Sequence, residues 1–311
     1  MDDPRTVTRG TDDVRRADFL RLTGVAAAGV ATPGVFAADA VRVIDERACA
    51  EWLAWELWQR DSSAVHISDL PLSVAWYLGA FDREGRVRIG RPTTSPDGFI
   101  VGDENGYFSF TLRAMVDFFV GRRIFGSMLE GRSELLASAQ TSHATDLVIR
   151  TLVQRHDASV GLLASWMRRA DSPVLRVNSA GVLAKLGKTA VTDAVVEVLK
   201  DHRDTRQLYL TAVASRVLAI PWQQAGEVAA MVQSNTDAPN LTVEQITHLA
   251  AEVNSPRDGA ARWCSAVLLH KVRDGSPDLV RASLLRAMRH EPCRENLRTF
   301  ANVLAGNDVI V

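Results

Sequence analysis

Three short constellations in this chain hold residue types that do chemistry. Ser142, His143 and Asp146 stand at i, i+1 and i+4. A serine nucleophile needs a base brought from elsewhere in the chain and an oxyanion pocket, and no Gly-x-Ser-x-Gly elbow is present. The trio therefore reads as the polar start of a helix. The string Gly181-Val182-Leu183-Ala184-Lys185-Leu186-Gly187-Lys188-Thr189 is the nearest approach to a phosphate loop. It places five residues between its glycines where the loop needs four, and it ends a helix instead of following a strand and opening one. Gly187-Lys188-Thr189 reads as a helix stop and turn. Cys264, His270, His290 and Cys293 are zinc-ligand types. His290 and Cys293, three apart, share a helix face, whereas Cys264 and His270, six apart, do not. These readings leave the chain with no catalytic residue, no cofactor and no metal.

The 311 residues are 47% hydrophobic with a formal net charge of -1, enough to bury a substantial core. The charge balance argues against a dedicated nucleic-acid binder, which carries a basic excess. Cys49, Cys264 and Cys293 are few, odd in number and far apart, so no disulfide framework is implied. Arg122-Arg123 and Arg168-Arg169 are pairs, and they read as solvated faces.

From about Ser133 onward the sequence is helix after helix. In Asp171–Gly187, residues Leu175, Ser179, Val182, Leu183 and Leu186 fall at 3–4 spacing and form one stripe. Asp171 or Ser172 caps the start, Pro173 suits the first turn and Gly187 the stop. The helix AVTDAVVEVLK follows after a short connection. Arg176–Leu186, RVNSAGVLAKL, aligns without gaps to Arg262–Val272, RWCSAVLLHKV, 86 residues on, or two periods of 43. Between them lie the pair TRQLYLTAVASRVLAI and PWQQAGEVAAMVQSN, whose register is irregular, and NTDAPN with LTVEQITHLAAEV, an insertion or an extra helix. An Asp-Pro start, then Arg176 followed by Ala180, Leu183, Leu186 and Gly187, resembles the HEAT consensus. The resemblance spans roughly Ser133–Val311 and implies a stack of helical hairpins.

Upstream, RACAEWLAWELWQRD is an amphipathic helix carrying Cys49, Trp52, Leu53, Trp55, Leu57 and Trp58. Asp69 and Pro71 are placed to start another helix. Ile100-Val101, an Asn105-Gly106 turn and Tyr107–Phe110 give a hairpin signal. Met115, Phe118, Phe119 and Phe125 then mark the packed face of a third helix. Helix, helix, hairpin, helix is the order of a winged-helix module, and about Val43–Arg132 resembles the winged-helix end of NACHT-type STAND NTPases. Phe110, Met115, Asp117, Phe118 and Gly121 match that family's aromatic strand-to-helix corner in kind. Leu112 stands where the family has its nucleotide-sensing His. The resemblance thus implies a packed corner, and no nucleotide is expected.

Val14–Ala40 resembles a twin-arginine export signal, with Arg15-Arg16 before Phe19-Leu20, an apolar run, and Ala38-Asp39-Ala40 as a cleavage motif. Ala17 and Asp18 both stand where the pattern has one residue, and Asp2, Asp3, Asp12 and Asp13 offset the arginines. The run is too short to span a bilayer. A capped Ala-rich linker is the other reading.

The sequence thus gives a mostly α fold: a leader or linker over 1–41, a winged-helix-like module with a small hairpin over 42–132, and a HEAT-like α-solenoid over 133–311. The expected function is that of a non-enzymatic regulatory or scaffold protein that binds another protein in the cytoplasm. The alternatives are a helical protein exported by the twin-arginine route with cleavage after Ala40, and a transcriptional regulator. Asp193, Glu197 and Lys200 share the helix face opposite Val191, Ala194, Val195, Val198 and Leu199 and are the candidate partner contacts.

Overall fold

The computed structural model describes residues 44–79, 93–94, 98–138, 142–234, 239–272 and 276–309. The leader, with its arginine pair and its Ala38–Ala40 motif, lies outside them. Among the described residues the chain is mostly helical, with fourteen α-helices and one small antiparallel sheet. By its contacts it divides into two units, 1–53 with 63–111, and 54–62 with 112–311. The tryptophan-rich helix α1, Glu46–Gln59, contributes to both.

In the first unit a four-stranded sheet has the order β1-β4-β3-β2, with β1 Val65–His66, β2 Thr93–Thr94, β3 Ile100–Gly102 and β4 Tyr107–Phe110. The expected hairpin is β3–β4, in register Ile100↔Phe110 and Gly102↔Phe108. Its turn rests on Asp103, whose carboxylate accepts from the amides of Asn105 and Tyr107 at 2.9 and 2.8 Å. Gly106 closes it at φ +84, a conformation open to glycine without strain. The sequence reading missed β1, which pairs with β4 before a 3-10 turn at Ile67–Asp69 and helix α2, Leu72–Tyr77. Two residues are too short for a periodicity to register.

The second unit continues with α3 Ala114–Leu129, α4 Glu134–Ala137, α5 His143–Val153, α6 Asp157–Arg169, α7 Pro173–Ala184, α8 Thr189–Asp201 and α9 Arg203–Leu218. It ends with α10 Trp222–Ser234, α11 Val243–Glu252, α12 Gly259–Val272, α13 Pro277–Met288 and α14 Arg294–Ala305. The contact division falls at Thr111–Leu112, so α3, grouped above with the first module, belongs by its contacts to this unit. It packs on α5, and closely: a Cβ on Gly121 would stand 2.7 Å from a Val148 methyl. Its buried face is Val116, Phe119, Val120, Ile124, Phe125 and Met128; Met115 is half-buried and Phe118 is exposed beneath the Arg122 guanidinium. Leu112 is 61% exposed.

Ser172 caps α7 by accepting from the Leu175 amide, with Pro173 in the first turn. The 3–4 spacing predicts one apolar stripe on α7, but the helix is buried nearly all round, from Leu175 and Val177 through Ala184. It packs on α4, α5, α6, α8, α9 and α12. Its second face is made of Asn178, Ala180 and Gly181, small enough for neighbours to close in. Gly187 ends the segment at φ +70. Lys188 then stands at the N-cap position of α8 without a side-chain capping bond, and Thr189 is its first residue, so the Gly-Lys-Thr string also opens a helix. Gly181 lies inside α7 with no strand before it, so the string forms no phosphate cradle.

Candidate functional site

Three arginines act as struts along this unit. Arg176 Nη1 donates to the Ala170 carbonyl just ahead of α7, and its Nε donates to Thr205 Oγ1, both at 2.7 Å. Arg206 Nη1 donates to the Lys200 carbonyl ahead of α9, with Nε on Gln233. Arg262 Nη1 donates to the Ser255 carbonyl ahead of α12, and its Nε and Nη2 grip the Glu291 carboxylate at 2.6 and 2.8 Å. Arg176 and Arg262 are the equivalent positions of the aligned segments, and each reaches a residue 29 places on. Arg206 makes the same backward bond in the unit whose register is irregular in the sequence, but its forward partner Gln233, 27 places on, lies in the second helix of its own pair.

The three candidate partner residues separate. Asp193 accepts from the Glu295 amide at 3.1 Å, and Lys200 is ion-paired with the Glu295 carboxylate. Both therefore hold the N-terminus of α14 against α8. Glu197 is exposed, as is Asp201 one turn on.

Ser142 caps α5, accepting from the Thr145 amide at 3.0 Å. Its hydroxyl and that of Thr145 donate to Asp117 Oδ1 at 2.7 and 2.9 Å, which fastens α5 to α3. This is the capping role read from the sequence, with Asp117 as an acceptor the sequence did not reveal. Cys49, Cys264 and Cys293 are buried and free. Burial is the first cause that raises each thiol pKa, to about 12 for Cys49 and about 11 for Cys293, so none is a thiolate nucleophile at neutral pH. Among the described residues no group of three His, Cys, Asp or Glu is placed to hold a metal ion.

The second unit also contains a cleft of about 540 Å³, within the range of small-ligand sites. Helical spacing builds its walls. Asn178, Gly181 and Lys185 line it from α7 and the turn after it. Tyr209, Val213 and Arg216 line it from α9, and His143 and Asp146 from the first turn of α5. Asp258 enters as the cap of α12, with Oδ1 accepting from the Ala261 amide at 2.9 Å.

Lys185, 5% exposed, sits at the base. Its Nζ donates to Asp146 Oδ2 at 2.8 Å and to the Gly181 carbonyl at 3.0 Å, and Asp258 Oδ2 stands 3.6 Å away. Burial by itself lowers the Lys185 pKa; the two aspartates reverse this and hold the ammonium charged, above its usual range. A Cβ on Gly181 would stand 2.7 Å from Asp146 Oδ2, so glycine here is what admits the carboxylate. His143 is pushed down to about 4 by burial, then by Lys185 and Arg216, against an opposing pull from Asp258; it is neutral at pH 7. Arg216 is paired with Glu252 at 3.0 Å.

Sequence reasoning had Lys185 only as a repeat position and Asp146 only as a polar neighbour of Ser142, and it passed over Asp258 and Tyr209. The available signal was a lysine inside the Ala-Leu run LAKL and an aspartate inside the apolar helix HATDLVI: charges at core positions need partners.

No protein-family model, no curated protein and no solved structure matches the chain.

Proposed function

We propose that the chain is a non-enzymatic regulatory or scaffold protein, a HEAT-like helical array that binds another protein. The carrying observation is the arginine strut repeated at Arg176, Arg206 and Arg262. Each arginine is the fourth residue of its helix and reaches back to a carbonyl ahead of it, and Arg176 and Arg262 also reach forward 29 places; this recurrence supports a stack of like units, and such stacks present extended binding surfaces. The α8–α14 contact adds a bond between distant units. With Asp193 and Lys200 drawn into that contact, the proposed partner surface on α8 centres on Glu197 and Asp201.

The stretch 42–132 is read as winged-helix-like and the whole as STAND-like without nucleotide chemistry, since Leu112 stands where the resembled pattern has its sensing His. The three inert thiols and the buried, fully engaged Lys185 support the non-catalytic reading. Among the described residues no helix is long and apolar enough to cross a membrane; cytoplasmic residence is part of the proposal, and twin-arginine export is its competitor.

Cross-linking in the native cell, with the linked sites read by mass spectrometry, tests the reading. Links to a second protein should cluster within residues 173–305. Links confined to residues before 112, or none at all, would overturn it.

A further inference from the structure

Two side chains that line the cleft of the second unit each keep an oxygen that no hydrogen bond from a described residue reaches. Tyr209 is 4% exposed, lines the cleft, and lies in the field of Asp258 and Asp146. No hydrogen bond from a described residue reaches its hydroxyl, and buried tyrosine hydroxyls ordinarily have a partner. Asp258 is 3% exposed. Its Oδ1 is used by the α12 cap, but its Oδ2 stands 3.6 Å from the Lys185 ammonium, beyond hydrogen-bond reach. Capping explains one oxygen of this carboxylate and leaves the other.

Asp146 and Asp258 carry two negative charges against the one ammonium of Lys185. Arg216, the other cation of the lining, is already matched by Glu252. Arg257 lies nearby but is exposed, where water and salt screen it. Lys185 stands 2.8 Å from Asp146 and 3.6 Å from Asp258, so Asp258 is the less closely matched of the two carboxylates. Trp58 and Trp222 also line the cleft, with Trp222 47% exposed. Aromatic faces attract cations and cover apolar groups.

We propose that this cleft is a binding site for a small organic cation, an ammonium or guanidinium group on an apolar body. Its N–H groups donate to Asp258 Oδ2 and to the Tyr209 oxygen, and Trp58 and Trp222 cover the apolar part. A metal ion is the wrong occupant, because Lys185 already takes Asp146 and a single carboxylate oxygen and a phenol remain.

The test is calorimetric titration of the full chain at neutral pH and low salt with benzylammonium and with agmatine, against neutral benzyl alcohol. At least one cation should bind with a micromolar to low-millimolar Kd, and benzyl alcohol should bind about tenfold more weakly or not at all. Tyr209→Phe removes only the hydroxyl, and Asp258→Asn keeps the cap oxygen while removing the charge. Each should weaken the cation about tenfold or more. If Asp258→Asn does not fold, Tyr209→Phe decides alone. The proposal is overturned if neither cation binds, if benzyl alcohol binds as well as the cations, or if Tyr209→Phe binds like the wild type.

Discussion

Arg176 and Arg262 lie 86 residues apart, and each sends its Nε to a residue 29 positions further along, Thr205 and Glu291 respectively. The two bonds differ in kind. Arg176 meets a hydroxyl, whereas Arg262 makes a bidentate, buried ion pair in which Glu291 is held below the usual carboxylate range; burial opposes that shift and the Arg262 hydrogen bonds outweigh it.

Removing the two arginines should therefore have unequal costs. Arg262→Ala strands a buried carboxylate, and breaking such a pair costs about 3–5 kcal/mol. Arg176→Ala loses hydrogen bonds of about 1 kcal/mol each. Urea unfolding of both variants checks this; equal losses would mean that the Glu291 pair has no special weight.

Gly181→Ala places a methyl against Asp146 Oδ2, so the carboxylate must move off Lys185. An overpacking cost of about 1–3 kcal/mol is expected. Gly126→Ala, at a helical glycine with nothing within 4 Å of the new Cβ, should be neutral or slightly stabilising. Thermal melting of the pair separates close packing from helix propensity.

The His143 pKa falls from 6.5 to about 4 on folding. Between those values the unfolded chain binds the proton and the folded chain does not, so stability rises with pH across the window. It is fully present above pH 6.5 and is lost as pH falls toward 4. Glu291 and Glu295, both held below the usual 4.5, add to the loss only at the acid end. His143→Gln should flatten the slope between pH 5 and 6.5 in urea midpoints; an unchanged slope would place the titration elsewhere.

The helices were legible because their signals are local. Ser172, Pro173 and Gly187 bracket α7 through backbone chemistry that needs no tertiary partner, and Asn105-Gly106 marks the β3–β4 hairpin in the same way. The arginine position also showed, since Arg176 and Arg262 align without gaps. The cleft was not legible. Its charged base joins Asp146, Lys185 and Asp258 across 39 residues or more, and no spacing rule relates three helices that meet only after folding. The α8 face was half-read for the same reason. Asp193 and Lys200 are polar by periodicity, yet their partner is the Glu295 backbone and carboxylate, 102 and 95 residues away.

Nucleotides should not bind. Gly181 is inside a helix, and Leu112 is exposed where the STAND pattern that the sequence resembles has a His. Calorimetry with ATP, ADP and GTP in the presence of magnesium should give no heat of binding, and micromolar affinity for any of them would overturn this expectation. Duplex DNA should show no salt-dependent mobility shift; such a shift would favour the transcriptional alternative.

The claim that the chain acts by binding a protein along α8 is tested most directly by charge reversal at Glu197 and Asp201. Both are exposed, so Glu197→Arg with Asp201→Arg should leave the melting temperature nearly unchanged, surface substitutions costing about 0.5 kcal/mol or less. Against a complementary partner the reversed charges should cost several kcal/mol. Capture from native lysate, compared with the wild type, should then lose the bound protein while the fold remains intact. A double variant that retains the wild type's full set of partners, or a wild type that captures none, would contradict the account.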